Sequence, residues 1–448
     1  MSVSSADLAT KSIKSLLIKQ AVPASVGILF MTINILIDTI FVGRWIGPLA
    51  IAALTVVMPL TFLISSLGMA IGIGGSSVLS RALGADNKEK ALATFAHQII
   101  MAFGLASVFV ITGLFFSNEM LYAFGANGDI AEPARIFFIP VLLAVPFQAL
   151  AMMGNNVVRA EDKARHAMTA MILSALGNLI MDVLFIQVLD MGIFGAALAT
   201  ATSFFIAFAY LVWFFIYKSE LRLQLKHFKW HNKLAGEITS LSFVTFARQG
   251  VIGVLAIILN HTLFEQGGEH AVTVYGIISR MLMFMLFPVL GVTQGFLPIS
   301  GYNYGAGNYG RVRESIFTAI KYAGALAIVI FAVILIFAKP IVAVFTKDPS
   351  VIEDTPGALR WVFAASPIIA VQLIGSAYFQ AAGKATKALL LTLSKQGFFL
   401  IPLVLILPHF IGIFGVWVSF PIADILSTLI TGLFLKKEMS TQLKPENI

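Results

Sequence analysis

The 448-residue chain contains no cysteine, which excludes disulfides, zinc–thiolate centres and iron–sulfur clusters. Its seven histidines are scattered, and none falls into a spaced metal motif. Charge is scarce too: Asp, Glu, Lys and Arg make up 12% of the residues and hydrophobic types 58%, with a mean hydropathy of +0.92. A soluble domain carries roughly 25% charged residues, because its surface must be wetted. A chain with half that share needs lipid as its solvent. A phosphate-binding loop is also missing. The nearest look-alikes, Gly72-Ile73-Gly74-Gly75-Ser76-Ser77 and Gly383-Lys384-Ala385-Thr386, have neither the spacing nor the preceding strand. Small residues in such segments read as close-packing positions between membrane helices.

What the chain has instead is long apolar runs. They fall near 16–43, 49–80, 93–116, 131–157, 166–189, 193–217, 236–262, 270–299, 313–338, 357–381, 387–409 and 411–435. A helix needs ~20 apolar residues to cross the hydrocarbon core, so the expected fold is all-α and membrane-integral with twelve transmembrane helices. Lys11, Lys14 and Lys19 precede the first run, but Ala21–Val42 is too long for a signal h-region and no cleavage site follows. It is read as a retained first span.

With the amino terminus in the cytoplasm, 23 of the 30 Lys and Arg fall on the cytoplasmic side. Arg44, Arg135, Lys339, Lys347 and Arg360 fall outside, and Arg248 and Arg280 within spans. The positive-inside rule gives that bias when both termini are cytoplasmic. The net charge of +8 therefore reflects loops at a membrane surface, not nucleic-acid binding.

The two halves repeat at an almost constant offset of 221. Leu83-Gly84-Ala85-Asp86-Asn87 matches Tyr304-Gly305-Ala306-Gly307-Asn308, Ala160, Lys163 and Ala164 match Ala381, Lys384 and Ala385, and Pro146 matches Pro367. Gly192-Ile193-Phe194-Gly195 returns as Gly412-Ile413-Phe414-Gly415. Six spans per repeat make the repeats parallel, as in two-lobed secondary transporters. The division expected is a first lobe at 1–217, a cytoplasmic linker at 218–235 and a second lobe at 236–448. Two pseudo-symmetric six-helix lobes suit alternating access better than a static pore. A channel would want a filter loop and an enzyme a nucleophile–base pair or metal motif in the spans; neither is found.

Without a nucleotide site, the energy must come from an ion gradient or the substrate's own. Ionisable residues at membrane depth are costly and are functional candidates for that reason. The clearest are Asp38, Asp182, Asp424, Arg248 and Arg280. Asn178 lies one turn before Asp182 on the same helix face, and the sixth span adds Thr200 and Thr202. Carboxylate, amide and hydroxyl oxygens suit a hard cation such as Na⁺, so Asn178 and Asp182 with a sixth-span threonine form one candidate site. The same carboxylates serve equally as proton carriers. A helix–helix hydrogen bond is the alternative use of a lone intramembrane Asp, and snorkelling that of the arginines.

Several stretches resemble the multidrug and toxic compound extrusion (MATE) family: Asn34-Ile-Leu-Ile-Asp38-Thr-Ile-Phe-Val-Gly43 with Pro23 before it, Arg81-Ala-Leu-Gly84-Ala, Asn155-Asn-Val-Val-Arg159-Ala, Gly177-Asn178-Leu-Ile-Met-Asp182 and Gly195-Ala-Ala-Leu-Ala-Thr200. The resemblance runs nearly the whole chain, in order. It implies export of organic, often cationic, drugs and dyes in exchange for Na⁺ or H⁺. It also implies two six-helix lobes in a V around a cleft. The matching prokaryotic branch places the cation site in the first lobe, on Asp38, Asn178, Asp182 and Thr200. Another branch has acidic residues in the seventh and tenth spans; here the seventh reads Phe243-Val-Thr-Phe-Ala-Arg248-Gln249 and the tenth has no Asp or Glu. Arg248 would repel a cation there. It is left to neutralise Asp424 or to meet an anionic group on a substrate.

Pro23 removes one backbone hydrogen bond and is expected to let the first helix bend. Among 38 Phe and 16 Met, a minority would line an adaptable apolar cleft, with Asn34, Asn155, Asn156, Met171, Thr200 and Thr202 as candidate lining residues. The expected partners are small organic substrates and the bilayer, with the coupling ion but no cofactor, in a functional monomer of the prokaryotic plasma membrane. A lipid-linked saccharide flippase of the same superfamily is the alternative. It would be expected to carry more basic residues along the cleft and often extra helices.

Overall fold

The computed structural model describes residues 3–444, and these are helical with no strand among them. Lipid offers no hydrogen bonds to a backbone, so each crossing segment must satisfy its own N–H and C=O groups. Eleven helical stretches among the described residues are long and apolar enough to cross a bilayer. The longest, Asn232–Gly305, breaks at Gly268, where φ is 63° and ψ −156°. It therefore supplies two spans, which makes twelve among the described residues. We number them α1 (Ile13–Trp45), α2 (Pro48–Gly84), α3 (Lys88–Phe115), α4 (Gly128–Ala160), α5 (Ala164–Val188), α6 (Gly192–Tyr217), α7 (232–267), α8 (269–305), α9 (Tyr309–Phe345), α10 (Pro349–Ala381), α11 (Ala385–Ile411) and α12 (Ile413–Thr441).

The repeat is visible in the turns. Asp86 after α2 and Gly307 after α8 both have positive φ, at 55° and 72°. So do Asp162 after α4 and Gly383 after α10, at 61° and 78°. Each pair is 221 residues apart. Asp and Gly are among the residues that tolerate the left-handed region, so the same turn is made by different chemistry in the two halves.

Two compact units result, one built on Val26–Thr245 and the other on Leu8–Ser25 with the chain from Phe246 onward. The division thus falls inside α7 and inside α1, not in the polar stretch 218–235. Close packing explains both crossovers. Gly74 of α2 has no room for a Cβ against the backbone of Ser242, and Gly295 of α8 none against Ala21. Gly74 and Gly295 are 221 residues apart, as are Ala21 and Ser242, so each first half-helix packs on the unit opposite to the rest of its helix.

The polar stretch itself is docked on the first unit. Glu161, in the turn before α5, is buried and accepts from the Ser219 hydroxyl at 2.7 Å and from the backbone N–H groups of Glu220 and Leu221 at 3.0 and 3.1 Å. Burial pushes the Glu161 carboxyl up to about 7 against those bonds. Further on, the His231 N–H donates to His97 Nε2 at 2.9 Å and Trp230 stacks on the His97 ring. Away from these cores large apolar side chains lie bare, as on α3, where Val108, Ile111 and Phe115 share one face and are 61%, 56% and 78% exposed. Only a hydrocarbon solvent makes such a stripe favourable.

Candidate functional site

Two helices of the first unit present matching polar pairs. On α1, Asn34 and Asp38 are four residues apart; on α5, Asn178 and Asp182 are four apart. Helical geometry puts each pair on one face. The two faces meet: Asn34 Nδ2 donates to Asn178 Oδ1 at 2.8 Å, and the side chains of Asp38 and Asp182 adjoin closely enough to interact directly. Asp182 is fully buried and Asn178 nearly so.

These groups are short of partners. Asp38 Oδ1, both carboxyl oxygens of Asp182, Asn34 Oδ1 and Asn178 Nδ2 are buried without a hydrogen bond. Buried polar atoms normally find one. No basic side chain among the described residues pairs with either carboxyl. Two adjoining buried carboxylates repel strongly unless a proton or a cation accompanies them. Chemically the site holds four unpartnered acceptor oxygens against one amide donor, Asn178 Nδ2.

Asp182 ends the regular part of α5, and the next six residues, Val183–Val188, form a π-helical turn. Such turns re-aim side chains and recur at functional sites. The neighbouring α6 runs antiparallel: Gly195 packs on the Phe185 carbonyl and the Ser174 hydroxyl donates to the Ser203 carbonyl at 3.0 Å. Thr200 lies on α6 between those contacts. Its side chain is half-buried and makes no hydrogen bond to the other three residues. Thr202 is likewise half-buried.

The remaining lining candidates are held by neighbours within the unit. Asn155 Nδ2 donates to the Ala167 carbonyl at 2.8 Å, while its Oδ1 accepts from Arg159 at 3.1 Å. Asn156 donates to the Met152 carbonyl and lies against Gly72. Met171 packs its sulfur on Gly27 of α1 and receives an Arg159 N–H at 3.5 Å. These three side chains join α4, α5, α2 and α1. Pro23 is buried in α1, three residues before the chain passes at Val26 into the first unit.

A MatE family model matches residues 23–184 and 243–406, one segment in each half. The chain belongs to the MatE family. Multidrug export protein MepA of Staphylococcus aureus (strain NCTC 8325 / PS 47) is 25% identical over 410 residues, covering 91% of this chain and 90% of that protein. The MepA of Staphylococcus haemolyticus (strain JCSC1435) is 25% identical over 405 residues, covering 90% and 89%. A solved multidrug resistance MATE family transporter of the MOP superfamily, in an outward-facing conformation, is similar with a TM-score of 0.92 at 25% identity over 99% of both chains. MatE proteins are transporters and not enzymes.

The second unit of this MatE chain carries a different charge pattern. Asp424 of α12 is buried and ion-paired with Lys395 at 2.6 Å. Arg248 is therefore not its partner, in contrast to one reading of the sequence. Lys395, which counts with the cytoplasmic lysines by position, lies well inside α11 on a second π-helical turn, Ser394–Leu400. The signal for it was present: Lys395 is the one charged residue in the largely apolar run from Ala388 to Leu407. Arg248 is half-buried on α7 and makes no hydrogen bond or ion pair among the described residues.

Proposed function

We propose that this MatE protein is a secondary active multidrug exporter that moves small organic, often cationic, molecules outward against H⁺ or Na⁺ by alternating access. The observation that carries this reading is the pair of adjoining carboxyls, Asp38 and Asp182, three of whose oxygens are buried and unpartnered. Such a pair needs one positive charge for each turn of the cycle. A proton serves by sitting on one carboxyl. A Na⁺ serves by taking oxygens from Asp38, Asp182 and Asn178, with the Thr200 hydroxyl as a fourth candidate; Asn178 Oδ1 has a second lone pair beyond the one that Asn34 uses.

The substrate class comes from the relatives, which are named as multidrug export proteins. The Lys and Arg distribution supports cytoplasmic ends for a chain in a prokaryotic plasma membrane, although residues 1–2 and 445–448 lie outside the described structure. A monomer suffices, since one chain contains both units.

The test is ethidium efflux from proteoliposomes under separately imposed Na⁺ and H⁺ gradients, with wild type and Asp182→Asn. Wild type is expected to respond to one gradient and the variant to neither. If Asp182→Asn transports as well as wild type, the coupling site lies elsewhere.

A further inference from the structure

The two units of this chain offer opposite chemistry at membrane depth. In the first, α1 and α5 present carboxyls with no cation beside them. In the second, Arg248 of α7, Lys395 of α11 and Asp424 of α12 are charged, and one cation and the anion are paired with each other. What is left over on these three helices is the half-buried Arg248 guanidinium, while Arg280 of α8 is exposed.

Arg248 is well placed to be more than a lipid-facing straggler. Val251, three residues on and thus on the same face of α7, lies against Gly397 of α11, at ordinary van der Waals distance for an added Cβ. Gly397 belongs to the π-helical turn that also carries Lys395. Arg248 therefore shares with Val251 the face of α7 that packs on α11. Lys395 holds Asp424 and so withdraws from Arg248 the one carboxylate among the spans α7, α11 and α12 at that depth. An unpaired charge inside a span is costly and is kept for use. A guanidinium presents a rigid fork of N–H donors that fits an oxyanion in two-pronged fashion.

We propose that Arg248 is a specificity-determining residue that binds an oxyanion, chiefly the carboxylate of an anionic or zwitterionic organic substrate. This rests on the exporter reading and extends it: the second unit selects molecules with an acidic group, while the first handles the coupling cation.

Rhodamine 110, which has a free carboxylate, and rhodamine 123, its methyl ester, differ in that group alone. Binding of each to the full chain in dodecyl maltoside, read by fluorescence anisotropy without any gradient, tests the proposal separately from coupled transport. Wild type is expected to favour rhodamine 110. Arg248→Gln is expected to weaken rhodamine 110 roughly tenfold or more, while rhodamine 123 changes less than about twofold; Arg248→Lys restores part of the loss, and unchanged rhodamine 123 binding shows the variant is folded. Competition by added phosphatidylglycerol that vanishes in Arg248→Gln would assign the oxyanion to a lipid headgroup, and its absence to the organic acid. Equal wild-type affinity for the two dyes, binding of neither, or parallel loss of both in the variant overturns the proposal. Failure of ethidium efflux with this binding pattern intact would instead overturn the exporter reading.

Discussion

Asn34 and Asn178 are joined by a 2.8 Å hydrogen bond one helical turn from the point where Asp38 meets Asp182. The amides thus set the register of α1 against α5, and the carboxyls fall opposite each other as a consequence. Asn34→Ala would strand the Asn178 carbonyl in a buried setting, at a cost of about 1–3 kcal/mol. The expected result is a lower melting temperature together with slower dye efflux, whereas Asn34→Gln should recover some of each. Efflux at the wild-type rate in a destabilised Asn34→Ala protein would show that register is not what the bond supplies.

Pro23 gives a second prediction. Proline lacks an N–H, so α1 forgoes one backbone hydrogen bond at that turn. Residues 8–25 pack with the second unit and the rest of α1 with the first, so the weakened turn falls where the helix changes unit. Pro23→Ala restores the bond and stiffens that turn. Substrate binding at equilibrium is expected to survive and turnover to fall several-fold. Undiminished transport would remove the hinge role.

The limits of the sequence are instructive at these same positions. Twelve apolar runs, the 221-residue repeat and Asn178 one turn before Asp182 are all legible, because lipid solvent and helical spacing act locally. Asp38 came to the cluster through family resemblance, since no spacing rule links α1 to α5 across 144 residues. The crossovers inside α1 and α7 were illegible because they depend on which glycine lets which backbone approach, as Gly74 does for Ser242. Asn155, Asn156 and Met171 look like free cleft residues in the sequence; their hydrogen bonds to Ala167, Met152 and Arg159 appear only once the helices are packed.

Burial of Glu161 predicts a pH dependence of stability. Its carboxyl is pushed up to about 7 from an ordinary 4.5. Between those values the folded protein holds a proton that the unfolded chain releases, so stability falls as pH rises through the interval and levels off above it. Glu161→Gln removes that slope while keeping an oxygen for the Ser219 and Leu221 donors. Melting curves in detergent between pH 4.5 and 8 should show wild type losing ground to the variant on the way up. Parallel curves would mean that the three hydrogen bonds offset the whole burial cost.

The Lys395–Asp424 pair separates structure from coupling in the second unit. Both groups are largely buried, and breaking such a pair leaves one charge without its partner, at a cost of about 3–5 kcal/mol. Lys395→Met alone is therefore expected to lower the melting temperature markedly. Lys395→Met combined with Asp424→Leu removes both charges and should recover most of the loss, since a well-packed apolar pair is often no worse than a buried ionic one. The double variant should still respond to the same ion gradient as wild type, because the carboxyls that need a travelling cation are Asp38 and Asp182. Retained stability with lost ion dependence would place a coupling role on Asp424 and move part of the driving chemistry into the second unit.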